Sequence, residues 1–491
     1  MGTQAEGLKA FWKLLMLTLV ILASFTPPKV SPAPADPATM GVWTEPFGLG
    51  MFPVHSVLLN DGRVMMVSHQ TSSSDTVVQA WDPATRRTTT LPTSSGRDFY
   101  CAGHSLLPDG RVLFSSGQVQ ETYPAKDGVR DTDVFDPASN TWKSGPLLSE
   151  ARWYPTNVQL PGGETLIFGG QKNSSTPSKT VDLYDPAINR ISRLPASATR
   201  KVGLYPRLHL MPDAKLLWTN SSSGVDTKTT TVFNPTSSSW SSVAAMNFGT
   251  RHTGSSVLLP GLSRVLVTGG YNSARGTTPT AEILDYSAPT PRWRYTSPMS
   301  NPRRDANAVV LPDGKVLVVG GGRGPGKYQS PVLVPELFDP SSETWTVMAS
   351  QKAPRMYHST AVLLPDGRVL SAGQDRGSYQ LTGEVYSPPY LFRGPRPTAT
   401  SAPSAMTYGE SFSVSTPDAT TIERVALVSP SSVTHSINFN QRYVELGFSE
   451  ADGNLSVSAP RNSREAPSGD YMMFLVNREN VPSVATWVSV S

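Results

Sequence analysis

A turn of the form Leu-Pro-Asp-Gly, or a worn version of it, recurs along this sequence and constrains every other reading. It stands as "LNDG" at Asp61, "LPDG" at Asp109, "LPGG" at Gly162, "MPDA" at Asp213 and "LPGL" at Gly261, then as "LPDG" at Asp313 and Asp366. The spacing is about 50 residues. An apolar strand that often ends in glycine follows each turn, as in "RVLFSSG", "TLIFGG", "RVLVTGG" and "KVLVVGGG". Later in the units stands an aromatic-Asp-Pro turn, as in "WDPATRR", "FDPASNTW", "YDPAINR", "FNPTSSSW" and "FDPSSETW". A unit of four short strands cannot bury both faces alone. A closed ring of such units buries every face except the rim.

The fold expected is therefore all-β, with a seven-bladed kelch-type β-propeller over residues 41–395. Trp142, Trp240, Trp293 and Trp345 follow the second kind of turn and are expected to wedge between neighbouring blades. "YSPPYLFRGPRPTATSAP" then breaks the pattern with prolines. Beyond it, alternating runs such as "ERVALVSP", "RYVELGF", "LSVSAP" and "YMMFLVNR" predict a C-terminal immunoglobulin-like antiparallel β-sandwich over 396–491. Between the first two runs lies "SSVTHSINFNQ", a loop longer than a hairpin needs. It carries His435.

Residues 1–40 stand apart. Lys9 and Lys13 precede the apolar "LLMLTLVILASF" (Leu14 to Phe25), and the Pro-rich tether "TPPKVSPAPADP" follows. The stretch has the length of a secretory signal and is short for a membrane span, which needs about 20 apolar residues. A cleaved export signal and an uncleaved N-terminal membrane anchor are both compatible with it. Either places the body of the chain outside the cytoplasm, secreted or extracytoplasmic. The 42 basic and 38 acidic residues are interspersed, which argues against a nucleic-acid partner, since phosphate binding needs clustered Lys and Arg.

Cys101 is the single cysteine, so an exported chain can form no internal disulfide. Its position is informative. Counting eight residues back from the third position of each turn reaches Pro53, Cys101, Tyr154, Tyr205, Thr253, Asp305 and His358. These mark the same point on each inner strand, so they meet at one mouth of the channel, with Tyr357 beside His358. Blade five carries one extra residue in "LPGLSRVL". Thiol, phenols and imidazole bind transition metals, and square nitrogen-oxygen coordination suits Cu(II). One more nitrogen ligand would complete the set, and the loop carrying His435 could supply it.

The segments "FYCAGHSLLPDGRVL", "ARWYPTNVQLPGG", "PRMYHSTAVLLPDGRVL", "SPSSVTHSINFNQR" and "YMMFLVNRENVPSVATWVSV" resemble the galactose oxidase and glyoxal oxidase copper radical oxidases. The resemblance implies one copper per chain, held by Tyr154, Tyr357, His358 and His435. It implies a thioether joining Cys101 to the Tyr154 ring, which serves as the radical cofactor. Tyr357 would be the axial base for the substrate hydroxyl proton, and O2 would leave as hydrogen peroxide. Galactose oxidases carry a sugar-binding domain before the propeller, and a tryptophan just after the Gly-Gly that ends the Tyr strand. Here the propeller pattern starts directly after the tether, and "GGQKN" places Gln171 and Lys172 at the tryptophan position. The pattern is closer to the glyoxal oxidase branch. A small aldehyde or primary alcohol is then the expected substrate, with a glycan terminus as the further class, and the chain is expected to act as a monomer.

Trp153 is the candidate to stack over the thioether and to meet substrate, and Tyr205 and Asp305 are further candidate substrate contacts. Arg152 and Arg355 are read as turn anchors and His104 as a residue behind the metal. "GGGRGPG" (Gly320 to Gly326) has no phosphate-loop context and is read as an inter-strand loop. A non-catalytic kelch ring binding glycan or protein at the cell surface is the alternative, since fold alone does not decide function.

Overall fold

In a computed structural model, residues 36–69, 76–94, 96–119, 127–225, 228–375, 379–451 and 453–491 are described. The apolar stretch Leu14 to Phe25, expected to be an export signal or anchor, lies outside them. Among the described residues no helix is long and apolar enough to cross a membrane. Residues Pro37–Ser491 make one compact unit.

Among the described residues, seven antiparallel sheets repeat one plan, their first strands being His55–Leu58, Gly103–Leu106, Thr156–Gln159, Leu208–Leu210, Ser255–Leu258, Arg304–Val310 and Ser359–Leu363. The first strand is largely buried and the fourth mostly exposed, as His55–Leu58 and Thr88–Thr90 illustrate. First strands adjoin those of neighbouring sheets, and that of the last sheet lies beside that of the first. The last sheet takes its outer strand from the other end of the chain: Val42 pairs with Ser387 and Trp43 with Tyr386. This is the arrangement of a β-propeller, closed by its own N-terminal strand.

The recurrent turns share one geometry. The Gly62, Gly110, Gly163, Gly314 and Gly367 N–H groups donate to the leucine carbonyl three residues back, and these glycines have φ between 80° and 94°. Glycine adopts that backbone freely. "LPGL" absorbs its extra residue within the turn. Leu259 N–H bonds Arg264 O, one residue further along than the equivalent bond from Leu107 to Arg111.

The glycines at or near the ends of the second strands have a partner in the segment that leads into the first strand of the same sheet. Arg152, Arg251, Arg303 and Arg355 are buried, and each donates to such a carbonyl, those of Gly169, Gly269, Gly320 and Gly373. Each also pairs with a buried acid, Asp182 at 3.0 Å, Glu282 at 2.7 Å, Glu336 at 2.6 Å and Glu384 at 3.2 Å. Buried charges persist only when paired and hydrogen-bonded. Arg152 and Arg355 are thus members of a repeated structural clamp. The tryptophans reach back to the preceding sheet: the indole N–H of Trp142, Trp240 and Trp345 donates to Pro92 O, Ala198 O and Ser297 O.

The C-terminal region packs a five-stranded sheet, including Ile422–Val428 and Gly469–Asn477, with a three-stranded sheet that contains Ser411–Ser415. One pair departs from the antiparallel expectation, since Ala405–Met406 runs parallel to Thr486–Val490. Its core is continuous with the ring: Val425, Leu427 and Leu475 cluster with Met211, Leu217 and Val265.

"SSVTHSINFNQ" is not the open loop its length suggests. Ser432–Thr434 and Ile437–Asn438 form a two-stranded hairpin, which adds to the first sheet through His55↔Thr434 and Val57↔Ser432. The C-terminal region thereby inserts a β-turn into the ring of first strands.

Candidate metal centre

The positions found by counting back from the turns share a left-handed backbone. φ is 61° at Cys101, 64° at Tyr154, 41° at Tyr205, 54° at Thr253, 57° at Asp305 and 64° at His358. The seventh position is Pro53, whose ring excludes positive φ. Hydrogen bonds run between these residues from sheet to sheet. The Tyr154 N–H donates to Cys101 O at 3.0 Å, that of Tyr205 to Tyr154 O at 2.8 Å, and that of Asp305 to Thr253 O at 3.1 Å. Such backbone costs about 1–3 kcal/mol per residue away from glycine. Thr253 and Asp305 share it with the tyrosines, so the strain belongs to the architecture. It aims each of these side chains out of the regular pleat.

Five side chains then converge. Cys101 is a fully buried free thiol, its Sγ 3.5 Å from His435 Nε2. Ligand atoms of Cys101, His358 and His435 all lie within 4.8 Å of one another. The hydroxyls of Tyr154 and Tyr357 hydrogen-bond to each other. The His435 ring is 4.9 Å from that of Tyr154, 5.0 Å from Tyr357 and 4.3 Å from His358, centroid to centroid.

The hydrogen-bond network assigns both imidazole tautomers. Thr434 donates its hydroxyl to Val54 O at 2.8 Å, so at 2.5 Å from His435 Nδ1 it accepts. Asp375 Oδ2 lies 2.7 Å from His358 Nδ1. In both rings Nδ1 then carries the hydrogen, which leaves Nε2 as the lone-pair nitrogen that a metal requires. Burial pushes the Cys101 thiol and the Tyr154 and Tyr357 phenols well above their usual pKa, and His435 well below. The centre is a buried set of neutral donors. A divalent cation reverses that balance and favours the deprotonated thiol and phenols. Two imidazole nitrogens and two phenol oxygens in one spot fit Cu(II).

Several residues that build this centre carry no signal in the ring register. Asp375 accepts hydrogen bonds from the hydroxyls of Tyr100 at 2.6 Å and Tyr328 at 2.5 Å, besides holding His358. Burial opposes its charge, but these partners outweigh it and hold the carboxyl well below the usual range. Lys327 Nζ lies 3.7 Å above the centroid of the Tyr357 ring. Both Lys327 and Tyr328 come from the glycine-rich inter-strand loop. His55 Nε2 accepts the Cys101 N–H at 3.2 Å. His104 Nδ1 meets Ser432 Oγ at 2.5 Å and so secures the inserted hairpin. Arg207 departs from the arginine clamp and donates to His435 O at 3.1 Å. The cues were local: Tyr100 precedes the lone cysteine, and Asp375 stands two residues after Gly373, which ends its strand.

A cleft of about 270 Å³ opens on the centre, with Trp153, Tyr154, Gln171, Thr253, Lys327 and Tyr357 among its walls. Trp153 meets the Tyr154 ring edge-on, at 4.5 Å and 86°, rather than stacking over it. Its indole N–H is tied to Tyr100 O at 3.3 Å, which turns the plane away. Tyr205 and Asp305 lie outside the cleft walls. The Tyr205 hydroxyl donates to Ala102 O at 2.8 Å, and Asp305 pairs with Arg304 at 2.8 Å. Both are buried; the Tyr205 hydroxyl is turned to a protein partner, while Asp305 meets Arg304 through Oδ2 only and its Oδ1 has no hydrogen-bond partner among the described residues.

Asp375→Asn is expected to weaken copper binding by about 10- to 100-fold, the usual effect of removing the partner that orients a ligand imidazole. Competition titration with a copper chelator reads this directly. Unchanged affinity would mean that Asp375 does not orient His358.

Comparison with known proteins agrees with this geometry. Residues 54–390 match the family model described as glyoxal oxidase N-terminus, and residues 396–490 match the galactose oxidase-like Early set domain. An aldehyde oxidase GLOX of Vitis pseudoreticulata is 31% identical, covering 80% of this chain and 82% of that protein. A galactose oxidase of Gibberella zeae is 26% identical over 92% of this chain and 71% of its own length. A fungal alcohol oxidase of the AA5 family, solved in complex with copper, shares the fold with a TM-score of 0.81. It is 23% identical and covers 92% of this chain and 100% of its own. The chain belongs to the glyoxal oxidase family, with a galactose oxidase-like Early set domain at its C-terminal end.

Proposed function

We propose that this protein is an extracellular mononuclear copper-radical oxidase that converts an aldehyde or primary alcohol with O2 and releases H2O2. One observation carries the reading: Cys101, Tyr154, Tyr357, His358 and His435 meet at one buried point from four separate parts of the chain. A ring that only binds glycan or protein has no use for that convergence. In this reading the seven sheets are the blades of one propeller over 41–395 and residues 396–491 form the sandwich. Residues 1–40 export or anchor the chain, which acts as a monomer.

Tyr154, Tyr357, His358 and His435 would hold the copper, which supplies one-electron exchange and reaction with O2 when bound. Cys101 bonds through sulfur to the Tyr154 ring, where an ortho sulfur donates electron density and makes the phenol easier to oxidise. Tyr154, having first lost one electron to become a phenoxyl radical, would then accept the hydrogen atom from the carbinol carbon. Tyr357 takes the hydroxyl proton at its phenol oxygen, as a positioned base. For an alcohol the balance is RCH2OH + O2 → RCHO + H2O2, and an aldehyde reacts as its hydrate. The hydroxyl contact between Tyr154 and Tyr357 supports this pair of roles, since both hydrogens must leave one carbinol.

Copper-loaded, aerobically matured protein is expected to be lighter than its sequence mass by two hydrogen atoms. The loss should map to a joined peptide pair containing Cys101 and Tyr154. A peroxide-coupled screen of aldehydes and primary alcohols should then give turnover. A full sequence mass, with no turnover on any of them, would leave the surface-binding reading.

A further inference from the structure

The cleft over the centre contains one ionisable group that the oxidase chemistry does not use. Lys327 lines it with its ammonium 3.7 Å from the Tyr357 ring centroid. An exposed lysine is ordinarily just solvated, and a surface cation over an aromatic ring is a weak contact. This one is held in place from both sides. Arg304 donates to Pro325 O at 2.6 Å on one flank, and Tyr328 donates to Asp375 at 2.5 Å on the other. Of the carboxylates nearby, Asp375 is engaged by His358, Tyr100 and Tyr328, and Asp305 is bonded to Arg304 through Oδ2 and reaches Lys327 only through its charge. Among the described residues, Asp and Glu are absent from the cleft walls, and no hydrogen bond or ion pair engages the Lys327 ammonium.

Thr253 forms a second part of the same wall. It is 2% exposed, its hydroxyl has no hydrogen-bond partner among the described residues, and it is a β-branched residue at φ 54°. A β-branched residue at positive φ is an outlier. A buried hydroxyl left unbonded costs free energy unless something else meets it. By contrast, the neighbouring Ser222 hydroxyl accepts from Arg207 at 2.7 Å. The wall thus offers a held cation and an unclaimed O–H donor beside the phenol that takes the substrate proton. That pair suits an anionic oxygen group close to the reacting carbon.

We propose that Lys327 and Thr253 form a carboxylate subsite, and that the preferred substrates are short aldehydes bearing a carboxylate. This rests on the oxidase reading above. The reaction would be RCH(OH)2 + O2 → RCOOH + H2O2, where R carries the carboxylate. The hydrate loses its C–H hydrogen and one hydroxyl hydrogen, and O2 takes both with two electrons.

The test uses glyoxylate as the anionic probe and glycolaldehyde as the neutral one. Calorimetric titration of the metal-free protein should show glyoxylate binding that Lys327→Met weakens about tenfold and Thr253→Val about threefold, with Lys327→Arg close to the parent. On copper-loaded protein, Lys327→Met should lower the ratio of kcat/KM for glyoxylate over glycolaldehyde about tenfold. Metal-free protein that binds glyoxylate no better than glycolaldehyde would overturn the subsite, as would a ratio unchanged in Lys327→Met. Glyoxylate binding with no peroxide from either aldehyde would instead support the subsite and sink the oxidase reading.

Discussion

Cys101→Ser is expected to leave a folded, copper-binding protein whose turnover is lower by about a thousandfold, equivalent to about 4 kcal/mol of lost transition-state stabilisation. The serine hydroxyl occupies nearly the volume of the thiol, and the φ of 61° at this position is imposed by the ring rather than by the side chain. The stability cost should stay near 1–2 kcal/mol, that of placing a small polar group where a buried thiol stood. Copper should stay, because His358, His435, Tyr154 and Tyr357 are untouched. On the proposed reading, what goes is the sulfur substituent on Tyr154, and with it the lowered oxidation potential of that phenol. Metal content, thermal midpoint and peroxide release on one preparation read the three parts separately. Activity within tenfold of the parent would contradict a thioether role for Cys101.

His435→Asn separates fold from metal even more sharply. His435 and Ser436 have φ of 46° and 63° and link the paired residues Thr434 and Ile437. This is the two-residue turn with positive φ at both centres, which favours Asn-Gly and Asp-Gly. Asparagine suits the first position better than histidine does, so the turn should form at least as readily. The hairpin should still pair with His55–Leu58, as Thr434 and Ser432 keep their bonds to Val54 and to His104. The imidazole is gone, and copper affinity should fall by more than about 100-fold, beyond the loss expected for an outer partner alone. Equilibrium dialysis with a chelator buffer measures it. Parental copper affinity in a folded His435→Asn protein would remove His435 from the ligand set.

The same turn explains why the hairpin is illegible in the sequence. Its central pair, His-Ser, lacks the glycine that marks such turns, so a run of 11 residues, "SSVTHSINFNQ", looks like an open loop. The residue types were forced by something other than local preference, and the cost falls at the position where a side chain is needed. A similar limit applies to Trp153, Tyr205 and Asp305. Register locates their backbone, but the partner that each polar group finds belongs to other strands. Ala102 O claims Tyr205, Arg304 claims Asp305, and Tyr100 O turns Trp153.

The spacing of the turns was enough to order the strands, identify the repeated unit and align Cys101, Tyr154, Tyr205, Thr253, Asp305 and His358 as equivalent positions. That much is local and periodic: each unit repeats the same hydrogen bonds over a few residues, so counting along the chain finds it. Asp375 behind His358, Tyr100 and Tyr328 on Asp375, Lys327 over Tyr357, and the insertion of His435 into the ring depend on tertiary structure alone. They join segments as distant as Tyr100 and Asp375, separated by 275 positions. Only closure of the ring and docking of the C-terminal region bring such segments within hydrogen-bond reach, since neither event is encoded in any single repeat.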